Sequence, residues 1–491
     1  MRNRVFKRGS MKSMRAIAFI FLFASLLLNC GLWAQQSEKA TINVDFKQWN
    51  GDLDGMIKRR VIRVLVPYNR TTYFVDKGTQ RGIAYDSMKL FEDDLNKKLK
   101  TGNLKVHAVF IPTSRDRLLP ALADGMGDIA IGNLTITAER LKTVDFAGPV
   151  YKKVNEIVVT GSGAPAINTV DDLSGNEVFV RKSSSYYESL AALNQRFKNE
   201  GKKEVVIKEA PENLETEDMI EMANAGLIKI LIVDTVLAEF WKQIFTDITL
   251  HPQVAVRTGA DYGWAIRQNC PQLKTELNAF INAHGKGTTF GNVTFQKYLK
   301  NVKYVKNSTS EAEINKLKTM IAMFQKYGDQ YKVDWLLMAA QGYQESRLDQ
   351  TVKSQVGAIG VMQIMPATGK DLNVGDITQL DPNIQGGIKY MRFMMDQFYK
   401  NEPMDELNKM LITFASYNCG PGRMKSLRKE TLARGLDPNI WFGNVEQVAS
   451  EKVGRETVTY VSNIYKYYVA YQLSIEQIEE RKKVKEAVTK N

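Results

Sequence analysis

The strongest constraint on this chain is a change of hydrophobic period about three-fifths of the way along it. A polar stretch from Asn301 to Glu311 divides two differently patterned halves. Before it, short apolar runs alternate with amphipathic ones. Val61–Val66 reads as a strand ending at Pro67 and Asn69, and Val106–Ile111 and Asp128–Ile131 are further strands. Between them, Tyr85–Leu99 and Arg115–Leu122 carry helical spacing. Such alternation predicts an α/β sheet, with ligands at the loops that follow strand ends. After the stretch the period becomes 3.6. Ile314, Leu317, Ile321 and Phe324 form one stripe that Gly328 should stop, Asp334 can cap a helix over Trp335–Ser346, and 386–399, 404–416 and 457–475 read likewise. At 491 residues the chain is too long for one ordinary core, so each half is expected to bury its own.

The first 34 residues belong to neither half. Six basic residues between Arg2 and Arg15 precede an uncharged apolar run from Ala16 to Leu28, too short to span a bilayer comfortably. This is a signal-peptide pattern. Leu27-Leu28-Asn29-Cys30 resembles a lipoprotein box, although Asn29 stands where a small residue is usual. The competing route cuts after Ala34 and leaves no anchor. Either route exports the protein to the periplasm, peripheral or lipid-anchored at the outer membrane. The expected order is then a segment 35–59, a binding domain 60–300 with its second lobe near 154–250, a linker 301–312, a helical domain 313–475 and a charged tail 476–491, to which the sequence assigns no task.

The formal charge of +13 is spread along the chain without a basic stripe interleaved with aromatics, which speaks against nucleic acid. Three cysteines and three histidines lie far apart, with no zinc-ligand or CxxC spacing, so neither a metal nor another cofactor is expected. Cys270 and Cys419 either pair in an oxidising compartment or remain lone, buried thiols.

Asn133-Leu-Thr-Ile-Thr-Ala-Glu-Arg-Leu-Lys-Thr-Val-Asp-Phe-Ala-Gly-Pro-Val-Tyr151 resembles the extracellular solute-binding proteins for amino acids and the related ligand cores of ionotropic glutamate receptors. The resemblance extends over roughly 60–298. It implies a two-lobed periplasmic-binding-protein-like domain in which Thr135 and Arg140 grip a ligand carboxylate, with Asn133 beside them. A guanidinium fork suits that task better than a lysine point charge. Alternatively, Arg140 is a surface charge paired with Glu139 or Asp145. Ser184, in the run Ser183–Ser185, could present its hydroxyl to an anion at a helix start. Asp234, ending the strand Ile230–Asp234, either holds a ligand ammonium or caps the next helix. An amino acid or short peptide is the implied ligand class.

In the second half, Glu345-Ser-Arg-Leu-Asp-Gln-Thr-Val-Lys-Ser-Gln-Val-Gly-Ala-Ile-Gly-Val-Met-Gln-Ile-Met-Pro-Ala-Thr368 is similar to the signature of soluble lytic transglycosylases. Ser416-Tyr-Asn-Cys-Gly-Pro-Gly422 and Glu456-Thr-Val-Thr-Tyr-Val461 follow in the family's order. The implied fold is an all-α lysozyme-like domain, and the implied substrate is the glycan strand of peptidoglycan. Glu345 shares a helix face with Met338, Gln341 and Gly342, where partial desolvation would favour its neutral, acidic form. Ser354 and Gln363 could bond sugar hydroxyls or the acetamido group, and Gly357 and Gly360 could allow close backbone approach. Met362 either packs on a pyranose face or belongs to the core. Tyr417 and Asn418 would line the cleft, and Tyr460 could position the carboxyl. Ordinary glycoside hydrolysis uses two carboxylates, whereas the family blocks supply one. Asp349 is the only close candidate for a second, and the family gives it no such role. The resemblance therefore implies ring closure to a 1,6-anhydro-muramoyl end without water. The whole order resembles membrane-bound lytic murein transglycosylases. A sensor that uses the second half as a wall anchor and a lysozyme-type hydrolase are the alternatives.

Overall fold

A computed structural model describes residues 47–302 and 311–489, apart from positions 77, 213 and 286. The signal-peptide pattern with Cys30 and Ala34, most of the segment before Trp49, and most of the linker lie outside the described residues.

The chain forms two compact units, and their division does not follow the change of period. One contains residues 155–258 with 478–489. The other contains the described residues up to 154 and from 259 to 477. The first lobe of the binding domain and the helical half therefore belong to one unit.

In that larger unit, β1 (Val61–Val66) lies between β4 (His107–Pro112) and β5 (Ile129–Thr135), parallel to both, with Val61 opposite His107 and Val64 opposite Ile129. The end of β10 (Thr249–Arg267) runs antiparallel to β5, with Tyr262 opposite Thr135. Asp128, just before β5, is fully buried among three arginines. It accepts from the Arg63 amide at 2.7 Å, from Arg63 Nη2 at 2.9 Å, from Arg267 Nη1 at 3.2 Å and from Arg59. Arg63 also donates to the carbonyls of Lys47 and Trp49, so the segment ahead of β1 is docked on the lobe. In the smaller unit, β9 (Ile230–Asp234) pairs antiparallel with β6 (Val144–Thr160) and parallel with β7 (Glu177–Arg181), which pairs parallel with β8 (Val206–Ala210). The predicted strand Ile230–Asp234 has these bounds.

The helical half differs from expectation at Gly328. The helix Glu311–Tyr331 runs through it. A Cβ there would lie 2.7 Å from Trp335 Cβ and 2.9 Å from the Val333 carbonyl, so the glycine permits close packing of the next helix and stops nothing. The last helix also exceeds expectation, running from Arg455 to Thr489. Its end is part of the smaller unit, where Lys485 pairs with Asp218 at 2.7 Å and Glu221 at 3.1 Å. The tail thus has defined partners.

Several side chains join the first lobe to the helical half. The hairpin of β2 (Phe74–Asp76) and β3 (Thr79–Arg81) brings Thr79 Oγ1 to 2.7 Å from the Tyr343 hydroxyl, and Tyr471 donates to the Gly78 carbonyl at 2.6 Å. Arg60 binds the buried Glu446, and Asn103 donates to the Ser450 carbonyl at 3.0 Å. Lys466 lies 3.8 Å from Glu92, which also pairs with Lys89 at 2.6 Å. Burial alone would raise the Glu92 pKa, but Lys466, His107 and Lys89 hold it well below the usual range. Desolvation brings Lys466 down to about 8. Cys270 and Cys419 remain lone thiols.

Candidate active site

Asp334 starts the helix Trp335–Ser346 by accepting from the amides of Leu336 and Leu337 at 2.8 and 3.2 Å. Its other oxygen accepts from Tyr468, fixing the long last helix against this one. Ser346 ends the helix with its hydroxyl on the carbonyls of Gly342 and Val361, and the chain reverses through left-handed Arg347 and Leu348. Glu345 is thereby held at a rigid helix end and lines an open cleft with Gln344, Asn418, Glu456, Thr459 and Tyr460.

The Tyr460 hydroxyl donates to Glu345 Oε1 and accepts from Gln341 Nε2 at 3.1 Å. Burial raises the Glu345 pKa, the tyrosine bond opposes it, and the result is about 7. No cation contributes among the described residues. A carboxyl so placed is present in both protonation states near neutrality, as a group alternating between acid and base requires.

Asn418 accepts from Thr457 at 2.6 Å beside the carboxyl. Tyr417 donates to the Met362 carbonyl at 2.8 Å, and its ring meets Tyr390 edge-on at 5.6 Å. The predicted residues Glu345, Asn418 and Tyr460 are thus gathered at one cleft, with Tyr417 adjoining it. Met362 is different. Its side chain is wholly buried against Gly342 and Gly387, so it belongs to the core and offers no face to a sugar. Asp349 also stands apart, turned onto the amide and hydroxyl of Thr351 at 2.9 and 2.8 Å.

Residues 350–364 form a tight braced loop. Ser354 and Ala358 bond each other through their backbones, and Ser354 Oγ accepts from the Ala358 amide at 2.9 Å. Gly357 has φ +93° at the exposed turn. Gln363 donates to the carbonyls of Gly360 and Val352 at 2.8 and 3.2 Å, leaving its own carbonyl oxygen without a bond among the described residues. Gly360 has φ +77°, and a Cβ there would come within 2.5 Å of the Asn383 and Gln350 amides. Gly360→Ala should therefore destabilise the protein by about 2 kcal/mol or more, measurable as a lowered denaturation midpoint.

The sequence reading missed three contributors. Asn383, fully buried, accepts from the Met362 amide at 2.8 Å and donates to the carbonyls of Ile359 and Ile377. Gln350 braces the same loop from the other side. Both stand in polar-looking stretches with no signal of burial. The third, Glu456, begins the segment Glu456–Val461, and only folding brings it to the cleft of Glu345.

The binding-domain candidates fall into different units. In the larger one, Arg140 is buried, with Nη1 donating to the Thr135 carbonyl at 3.0 Å. The partners of the surface-pair alternative are otherwise engaged, Glu139 with Lys142 and Asp145 with Lys274 at 2.7 Å. Asn133 is left-handed at φ +54° and lines a small, mainly apolar pocket with Tyr151, Trp264 and Phe290. In the smaller unit, Ser184 caps the helix Ser185–Asn199 through the Tyr187 amide at 3.2 Å and donates to the Arg181 carbonyl at 2.6 Å. Asp234 caps the helix Thr235–Lys242. One oxygen accepts from the Leu237 amide at 2.9 Å and the other from the Tyr186 hydroxyl at 3.0 Å. Both oxygens are engaged and the residue is 1% exposed, so the helix-capping role is formed in this structure.

Two sequence families account for these parts. Residues 62–301 match the bacterial extracellular solute-binding proteins, family 3, and residues 322–438 match the Transglycosylase SLT domain. The chain is a multidomain protein in which a solute-binding-protein-like α/β domain precedes a helical region that matches the transglycosylase SLT domain. Relatives with the whole arrangement include membrane-bound lytic murein transglycosylase F of Desulfosudis oleivorans, 27% identical over 423 residues that cover 83% of this chain and 89% of the relative. The protein of the same name from Pseudomonas fluorescens is 28% identical over 431 residues, covering 83% and 84%.

Proposed function

We infer that this chain is a peptidoglycan lytic transglycosylase that cleaves the MurNAc–GlcNAc β-1,4 bond with Glu345 as acid and then base. The carrying observation is the Glu345 carboxyl in an open cleft, poised near neutrality by burial and bonded to Tyr460. As acid, Glu345 protonates the oxygen leaving MurNAc C1 while the 2-acetamido group assists at that carbon. As base, it takes the proton of the C6 hydroxyl, whose oxygen closes onto C1. The product is a 1,6-anhydro end, and no water is consumed. Ser354, Gly357, Gln363, Tyr417 and Asn418 are the proposed glycan contacts.

The family 3 domain suits an amino acid or wall peptide, with Thr135 and Arg140 as its proposed carboxylate grip and Asn133 as a further contact; Ser184 of the smaller unit, taken by itself, is a proposed anion contact at its helix start. The basic, apolar leader supports export, and the proposed location is the periplasm, peripheral or lipid-anchored at the outer membrane. No helix among the described residues is long and apolar enough to cross a membrane.

Glu456 favours one competing reading, because a second carboxylate on the same cleft is what a hydrolase needs. Digestion of purified peptidoglycan in ¹⁸O-labelled water, followed by mass spectrometry, separates the two. Unlabelled anhydro-muropeptides are expected. New reducing MurNAc ends in place of anhydro ends would instead establish hydrolysis. The alkaline limb of kcat/KM should fall near pH 7, where Glu345 loses its acid form.

A further inference from the structure

Gln341 lies one helical turn before Glu345 and is fully buried, yet its Oε1 has no hydrogen-bond partner among the described residues. A buried amide with an orphaned oxygen is a poor choice for packing, since an apolar side chain of similar size would leave no polar atom unsatisfied. What the amide does supply is one bond, from Nε2 to the Tyr460 hydroxyl at 3.1 Å. That hydroxyl has a single proton, and it is directed at Glu345 Oε1.

We propose that Gln341 is a positioning residue for the reaction: by occupying the acceptor side of the Tyr460 hydroxyl, it fixes the tyrosine proton on Glu345 Oε1 and sends the catalytic proton to Oε2. The inference rests on Glu345 being the acid and base. An oxygen already receiving a hydrogen bond from Tyr460 is a poor place for the carboxyl proton, because the two hydrogens would face each other. Oε2 has no protein partner among the described residues, so the protonated acid presents its hydrogen there. Without Gln341, the Tyr460 hydroxyl is free to turn and accept from a proton on Oε1, which takes that proton out of use. The groups facing Glu345 are Tyr460 and Glu456 from the last helix and Tyr417 and Asn418 from the helix Glu406–Cys419. No lysine or arginine among the described residues acts on the carboxyl.

The sign of the pH effect follows. Tyr460 donation favours ionised Glu345, and Gln341 strengthens that donation by polarising the hydroxyl. Removing the amide should raise the pH at which the acid form is lost.

The test uses the full chain on purified peptidoglycan, with kcat and KM measured across pH for wild type, Gln341→Leu, Tyr460→Phe and the double variant. Gln341→Leu is expected to lower kcat about tenfold, leave KM within about twofold, and move the alkaline limb up by about half a unit. Tyr460→Phe should move it further up, and adding Gln341→Leu to it should move it no more. An unmoved limb overturns the proposal whatever happens to kcat or melting temperature. So does a limb that moves down, which would mean the amide accepts from Tyr460, or a shift that persists in the Tyr460→Phe background. Gln341→Met provides the same comparison if the leucine variant does not fold. Wild-type protein that releases no anhydro-muropeptides defeats the reading of function itself, whereas an active wild type with an unmoved limb defeats this inference alone.

Discussion

Glu345→Gln should release anhydro-muropeptides at least about a thousandfold more slowly than wild type, and at pH 8 it should melt higher. The first effect follows because glutamine can neither deliver a proton to the leaving oxygen nor take one from the C6 hydroxyl. The second follows from desolvation. The folded carboxyl titrates near 7, against an ordinary 4.5. Between those values the folded state keeps a proton that the unfolded chain has lost, so stability falls as pH rises across the window. Above it, the ionised carboxyl is a standing cost, on the order of 1–2 kcal/mol once its contact with solvent is allowed for. Glutamine still accepts from Tyr460 and never ionises. Its advantage should be absent below about pH 4.5, grow towards 7 and then level off. Melting curves at pH 4 and pH 8 check this. Equal differences at both would mean that the carboxyl is not desolvated, and the acid–base assignment would lose its electrostatic support.

Asp128→Ala should cost about 3–5 kcal/mol of stability, read as a lowered urea midpoint. Asp128 is wholly buried and is the shared counter-charge of Arg59, Arg63 and Arg267. Desolvation already lowers Arg59 to about 10 despite the aspartate. Without the carboxylate, three guanidinium groups face one another, and the Arg63 amide loses its acceptor. The segment ahead of β1 should loosen as well, since Arg63 and Arg267 hold the carbonyls of Lys47, Trp49 and Gly51. A variant as stable as wild type would show that the cluster contributes little, as can hold for buried pairs replaced whole but not for a partner removed singly.

Elements with a strong period were legible in the sequence. Val61–Val66, Ile230–Asp234 and Trp335–Ser346 have the bounds their patterns predicted, because burial on one face or both imprints a spacing. Glu345, Asn418 and Tyr460 were found through motif blocks, since a carboxyl on a helix has no distinctive spacing of its own. What escaped notice depends on contacts between distant positions. Gly328 reads as a stop until Trp335 is seen against it, and Met362 sits in a signature yet points into the core. Glu456 meets Glu345 only across more than a hundred residues. The tail's partners could not be read because a run of lysines and glutamates looks alike whether solvated or paired.

The contacts between the first lobe and the helical half bear on how far such proteins can be treated as interchangeable parts. A cut between 303 and 310 severs a covalent joint but also strips Tyr343 and Tyr471 of the hairpin, Glu446 of Arg60 and Lys466 of Glu92. A catalytic fragment made that way is no neutral baseline for the intact enzyme. Grafting a different N-terminal domain onto this helical half would require transplanting the β2–β3 hairpin, Arg60 and Glu92 along with it, as the plug that fits this socket.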